Sequence, residues 1–234
     1  MPRSRDNQQY QAFRERILEV ARKQMAQHGT AGLGLRAIAR ELDVTAPALY
    51  RYFPTHDDLI TALVVEGFTG LAEAVEGAQQ ANIHRPLRDQ LREVLLAYRQ
   101  WAVDHPIDFQ MIYGSPIPGY HAPREVTVPI VIRGFAVIVG LIEALLQSGQ
   151  IQRETVYHHI PEPTRQILHE RIERDNYPVS DTAMYMGVVG WGQLHGIIML
   201  ELFGHLGPVV GDIDAYYRGQ VESLLIAMGS DPPE

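Results

Sequence analysis

From Arg36 to His56 the chain reads RAIARELDVTAPALYRYFPTH, setting cationic and hydrogen-bonding side chains into a frame of small and apolar ones. Arg36 and Arg51 carry guanidinium groups, Thr45, Tyr50 and Tyr52 carry hydroxyls, and His56 carries an imidazole. No nucleophile is paired with a base in this set. Its chemistry is the recognition of anions and base edges. A guanidinium at Arg36 suits bidentate hydrogen bonding to guanine, while Arg51 and the tyrosine hydroxyls suit phosphate oxygens. Ala46, Pro47 and Ala48 are small enough to let a helix lie deep in a major groove and touch thymine methyls. His56 adds a donor that grips phosphate better when protonated.

Other reactive types are present without the spacing that chemistry needs. Asp104, His105 and Asp108 lie close together, but no nucleophile elbow, metalloprotease helix, phosphate loop or dinucleotide fingerprint accompanies them. Neither catalysis nor a cofactor is expected. His158, His159 and His169 form no recognised zinc spacing, so no metal is expected. The chain has 0 cysteines, which excludes disulfides and thiolate sites and fits a reducing cytoplasm.

A recognition element of this kind needs a helix to carry it and a second helix to brace it. Apolar residues at Phe13, Ile17, Val20, Ala21 and Met25 predict a helix ending at His28-Gly29. A polar lead containing Arg3 and Arg5 precedes it. A second helix is predicted from Leu35 to Leu42, with Ile38 and Leu42 inward and Ala39 small enough for a crossing. Asp43 must then take a left-handed turn, which aspartate tolerates better than most residues. Val44 plugs the angle. A third helix is predicted from Ala46 to Phe53, with Leu49 and Phe53 inward, Thr45 as its cap and Pro47 in its first turn. Thr55 to Asp58 matches a capping box opening a fourth helix to about Gln80.

Beyond Pro86 the periodicity predicts helices over 87–103, 106–114, 124–147, 163–174, 180–203 and 213–227. Ser115 to Pro123 holds three prolines and is predicted as a loop, and 149–159 is poorly patterned. The predicted fold is all-α, with nine or ten helices: a three-helix helix-turn-helix domain followed by a larger helical bundle. Val126–Leu146 and Ala183–Phe203 are long apolar stretches, but Arg133, Glu143, Gln193, His195 and Glu201 interrupt them, so they read as buried helices. The first residues carry no apolar signal segment. Net charge is -8, unevenly spread. Residues 1–60 hold nine Lys/Arg against seven Asp/Glu, and the remainder eleven against twenty-one. Contact with DNA therefore falls to the first segment, while the second repels the same backbone.

The block ILEVARKQMAQHGTAGLGLRAIARELDVTAPALYRYFPTHDDLITAL resembles the DNA-binding domain of TetR-family transcriptional regulators, in register over about residues 14–64. Three positions depart from the family's habit. Leu35 stands where Ser or Thr is usual, Asp43 where Gly is usual, and His56 where Lys is usual. Each change weakens a generic backbone contact. GVVGWGQLHGIIMLELFGHLG, from Gly187 to Gly207, is similar to the WHG-type C-terminal domain of a subset of that family, through Trp191, His195 and Gly196.

The resemblance implies a homodimer that binds a palindromic operator and is released by a small molecule. The expected organisation is a DNA-binding domain over 1–56, a connecting helix over 57–84, and an effector-binding and dimerisation domain over 85–234. Aromatic, soft and polar residues of the middle helices are the candidate pocket: Tyr98, Trp101, His105, Phe109, Gln110, Tyr113, Arg133 and Met186. Trp191, His195, Tyr216, Gln220 and Leu224 are the candidate dimer face. The expected partners are operator DNA, a second copy and an unidentified effector, with no membrane. The competing class is a helical small-molecule or protein-binding module that no longer reads DNA, supported only by the three departures.

Overall fold

The structure, a computed structural model, describes the backbone of residues 3–151 and 159–229, and side chains for all of these except 3–6 and 31. Its order is α1 (Arg3–His28), a 3-10 turn (Thr30–Gly32), α2 (Leu35–Glu41), α3 (Ala46–Leu49), α4 (His56–Ala81), α5 (Leu87–Asp104) and α6 (Pro106–Tyr113). Then follow α7 (Arg124–Gln147), α8 (Glu162–Asp175), α9 (Asp181–Leu202), α10 (Gly207–Val210) and α11 (Ile213–Ala227). Among the described residues there is no strand.

Packing groups the chain into two compact units. The first comprises Met1–Phe68 and His105–Pro129, the second Thr69–Asp104 and Ile130–Glu234. Thus α6 and the proline-rich loop pack with the helix-turn-helix, although they follow α5 in sequence. Helices α4 and α7 each contribute residues to both units.

The core of the first unit contains Ile17, Leu18 and Ala21 of α1, Ile38 and Ala39 of α2, Leu49 of α3, Leu59, Ile60 and Leu63 of α4, and Met111 of α6. Polar bonds reinforce it. Arg22 donates to Asp108 at 2.7 Å and to Glu66 at 2.9 Å, and Arg14 also donates to Glu66 at 3.1 Å. The Tyr120 hydroxyl on the proline-rich loop lies 3.1 Å from the Thr61 hydroxyl on α4. The capping box forms as the sequence predicts: Asp58 N–H donates to Thr55 Oγ1 at 3.1 Å, and Asp58 accepts from Thr55 N–H at 2.9 Å.

In the second unit α11 packs on α5 and α9, and α8 packs on α9. Arg99 of α5 is buried, forks onto Glu201 at 2.7 and 2.8 Å, and reaches Asp214 at 2.9 Å. Arg88 and Arg92 of α5 both bind Glu222 of α11. Helices α7 and α9 are long and apolar enough to cross a membrane by length and composition. Here they hold internal polar bonds: Glu143 of α7 accepts from both the N–H and the hydroxyl of Ser180, the residue capping α9.

Two boundaries differ markedly from the sequence reading. Helix α1 begins at Arg3, ten residues ahead of the apolar comb at Phe13. Its polar lead is rich in straight-chain residues that cost little in a helix, and Tyr10 within it stacks on Tyr52. Helix α3 closes at Leu49, not Phe53; residues 50–52 form a turn, in which Tyr52 and Phe53 N–H both donate to the Leu49 carbonyl. Helix α7 runs through Pro129, which supplies no N–H to the helix.

Candidate nucleic-acid interface

Helices α2 and α3 form the bracket that the sequence calls for. Asp43 sits at φ 54, in the left-handed region, and Val44 N–H then donates to the Ala39 carbonyl at 3.0 Å. Ala39 is buried at the crossing, and Leu49 and Phe53 anchor the second helix from beneath. Helix α2 has no side-chain cap, because its N-cap residue is Gly34, not Leu35; Leu35 is the first helical residue and is buried in the core. Thr45 occupies the N-cap position of α3, yet its side chain makes no capping hydrogen bond. The expected cap is therefore absent, and the hydroxyl stands on an exposed residue.

The predicted contacts divide by exposure. Arg36, Thr45, Pro47, Tyr50 and Arg51 are exposed, and Ala46 and Ala48 are half-buried. These residues come together on one element pair. Tyr52 and His56 do not present themselves in the same way. Tyr52 is half-buried, stacked on Tyr10 with ring centroids 4.5 Å apart and tilted against Phe13 at 5.1 Å. The His56 Nε2 lies 3.0 Å from the Leu33 carbonyl, so the ring ties the start of α4 to the segment before α2. A lysine could not bridge that gap with a planar donor. The departure at His56 thus has a structural use.

One basic residue was missed by the sequence reading. Arg40 is exposed and stands four positions after Arg36, so both lie on one face of α2. Among the described residues neither takes part in an ion pair, nor does Arg51, whereas Arg14, Arg22 and Lys23 are all paired with carboxylates. The i, i+4 spacing of Arg36 and Arg40, with Ile38 and Ala39 turned inward, was the available signal.

The candidate pocket residues are dispersed. Tyr98 and Met186 line an apolar pocket in the second unit, together with Leu91, Leu95, Ile138, Ile142, Leu194, Trp191, Leu224 and Met228. Trp101 is buried, its ring against Gly70 of α4. His105, Phe109, Gln110 and Tyr113 belong to the first unit. There Phe109 is fully buried, Tyr113 packs at 5.1 Å from it, Gln110 is half-buried, and His105 begins α6. Arg133 is exposed and paired with Glu76 of α4.

Of the candidate dimer residues, Trp191 is 37% exposed, while His195, Tyr216 and Gln220 are half-buried. Leu224 is 2% exposed and turns inward, because α11 buries that face against α5 and α9. His159 is exposed, and His169 pairs with Asp181 and Glu173; His158 lies outside the described residues. Among the described residues no three metal-binding side chains converge.

Comparison with known proteins agrees with this geometry. Residues 17–63 match the family model described as bacterial regulatory proteins, tetR family, and residues 91–224 match the tetracyclin repressor-like C-terminal domain. The HTH-type transcriptional regulator Rv1816 of Mycobacterium tuberculosis is 33% identical over 214 residues, covering 91% of this chain and 90% of that one. The regulator Mb1846 of Mycobacterium bovis matches to the same extent. Among solved structures, the regulatory protein SCO4313 is 28% identical with a TM-score of 0.76, covering 94% of this chain and 98% of that one. The TetR-family regulator PfmR of Thermus thermophilus, 17% identical, shares the fold at a TM-score of 0.61, over 91% of this chain and 98% of its own. An all-helical chain with a helix-turn-helix at its start, matched along most of its length, belongs to the TetR family of transcriptional regulators.

Proposed function

We propose that this regulator is a repressor that binds a palindromic operator as a homodimer and leaves it when a small molecule enters its C-terminal part. The observation that carries the DNA contact is the exposed set Arg36, Thr45, Pro47, Tyr50 and Arg51 around the α2–α3 turn, free of competing carboxylate partners among the described residues. Arg36 reads a base edge, Arg40, Arg51 and Tyr50 hold phosphates, and Ala46, Pro47 and Ala48 admit the helix to the groove. Tyr52 and His56 serve the interface by fixing its frame. Function divides the chain into a reading head over 1–56, a connecting helix over 57–84 and a sensing and pairing part over 85–234. The protein works in the cytoplasm, where its operator is, and carries out no catalysis.

Pairing is supported by an apolar surface on α9, where Val188, Trp191 and Leu200 are exposed, followed by exposed Phe203. Gly192 and Gly196 of the same helix have nothing within 4 Å of a Cβ built on them, so a second helix can approach closely there. A two-fold pair sets the reading heads into successive major grooves, about 34–36 Å apart or a multiple of it. An effector that favours a differently spaced pair by a few kcal/mol then releases the operator. Selection of bound sequences from random DNA tests the reading. It predicts an inverted repeat, and recovery of a single half-site, or of no sequence at all, contradicts it.

A further inference from the structure

Gln9, Arg16 and Lys23 recur every seven residues along α1 and so share one side of that helix. At the C-terminal end of this stripe Lys23 donates to Glu41 of α2 at 2.6 Å. Phe13 stands four residues after Gln9 and three before Arg16, so it adjoins both. Its ring leans on Tyr52 with centroids 5.1 Å apart, and Tyr10 stacks on the same Tyr52 at 4.5 Å. Tyr52 directly follows the exposed Arg51. The stripe therefore borders α2 at one end and the turn after α3 at the other. Between these ends stands Arg16. Arg14, Arg22 and Lys23 on the same helix each bind a carboxylate, whereas Arg16 is exposed and in no ion pair among the described residues. Its guanidinium carbon lies 5.7 Å from the centroid of the Phe13 ring, within cation–π range.

We infer that Arg16 binds a DNA phosphate, which makes α1 a third element of the DNA interface beside α2 and α3. The inference rests on the DNA-binding reading of the α2–α3 face and extends that face to α1. A guanidinium presents five N–H donors in a fork that suits phosphate oxygens. The Phe13 ring holds it near Tyr52 and limits the side-chain freedom that binding would otherwise remove. Residues 7–14 contain no carboxylate, and Gln9, exposed two turns before Arg16, adds an amide donor on the same stripe. Glu19, one turn further along, is exposed and repels phosphate. The contact therefore belongs to the N-terminal half of the stripe. It carries no sequence information and fixes the position of the reading head on the duplex.

Arg16→Gln, Arg16→Lys and Arg171→Gln, each in the full chain, test this by fluorescence anisotropy. The probes are a labelled duplex carrying the selected operator and one of equal length with that sequence scrambled, titrated at several salt concentrations. Arg16→Gln should weaken both duplexes alike, about 3–10-fold at low salt, and reduce the slope of log K against log salt by about 1. Arg16→Lys keeps the charge and should keep the parent slope. Arg171→Gln removes the same charge from exposed Arg171 of α8 and should leave the slope unchanged. An unaltered affinity for Arg16→Gln overturns the inference. So does a weaker affinity with the parent slope, which marks a merely structural role, or an equal change for Arg171→Gln, which marks net charge alone. The double change Arg36→Ala and Arg51→Ala keeps the two ideas apart. If it abolishes binding while Arg16→Gln changes nothing, the inference falls and the α2–α3 reading stands. If Arg16→Gln behaves as expected and the double change leaves binding undiminished, α1 holds DNA and the α2–α3 reading falls.

Discussion

Tyr50 and Tyr52 are two residues apart and have different surroundings. Tyr50 is 45% exposed at the end of α3, whereas Tyr52 stacks on Tyr10 and leans on Phe13. Tyr52→Phe should therefore leave DNA affinity unchanged, while Tyr52→Ala should cost about 1 kcal/mol of stability through the lost ring contacts. Tyr50→Phe should weaken binding to all sequences alike. The two arginines of α2 should separate in the same experiment. Arg36→Ala should relax specificity at one base pair by about 1–3 kcal/mol. Arg40→Ala should lower affinity uniformly and reduce the slope of log K against log salt by about 1. Binding measured on a panel of single-base operator variants at several salt concentrations distinguishes these outcomes. A uniform loss for Arg36→Ala would contradict its assignment to a base.

Two backbone features set the shape of their elements. Asp43 holds a left-handed turn that glycine adopts without a Cβ clash, so Asp43→Gly should raise stability by about 0.5–1 kcal/mol and keep DNA binding. Pro129 leaves one carbonyl of α7 without its helical donor. Pro129→Ala should restore it and raise the melting temperature, with a gain of about 1 kcal/mol or more. Chemical denaturation of each variant against the parent chain checks both. The α5–α11 contact responds to pH. Burial alone would raise the Glu222 pKa, but bonds from Arg88 and Arg92 outweigh it, and the net shift is downward from 4.5. A lowered folded value means the contribution is complete above the unfolded pKa and is lost as pH falls through the folded one. Glu222→Gln should flatten the dependence of melting temperature on pH below about 5.

The elements legible in the sequence were those with a strong period or a local signal. Arg124–Gln147 and Ile213–Ala227 are bounded as the apolar pattern predicts, and the Thr55–Asp58 cap and the turn at Asp43 were readable from residue type. The first turns of α1 were not, because a polar helix has no buried face to leave a period. The early end of α3 was hidden for the opposite reason. Leu49 and Phe53 are buried whether the chain between them is helix or turn. The exposed set around the α2–α3 turn was legible because its residues are close together in the sequence. The pocket was not, because its walls come from four helices far apart in sequence, and an aromatic such as Phe109 looks the same in a list whether it lines a cavity or fills another unit's core.

At the scale of the whole molecule, charge is unevenly spread along the chain, with its basic excess confined to residues 1–60. The first segment carries a slight excess of base, and three of its paired cations, Arg14, Arg22 and Lys23, are spent on internal bonds. The exposed arginines of α2 and of the turn after α3, by contrast, take part in no ion pair among the described residues. The acidic remainder disfavours unspecific wrapping. Because α6 and the proline-rich loop pack with the reading head, Arg22→Ala should loosen that first unit by removing a donor shared between Asp108 and Glu66. The central claim is that the α2–α3 face is the surface that meets DNA. Fluorescence anisotropy with a labelled fragment from upstream of the protein's own coding region, titrated at rising salt, tests it most directly. The account predicts saturable, sequence-selective binding that weakens steeply with salt and is abolished by the double change Arg36→Ala and Arg51→Ala. Absence of binding at low salt, or binding that survives that double change undiminished, would contradict it.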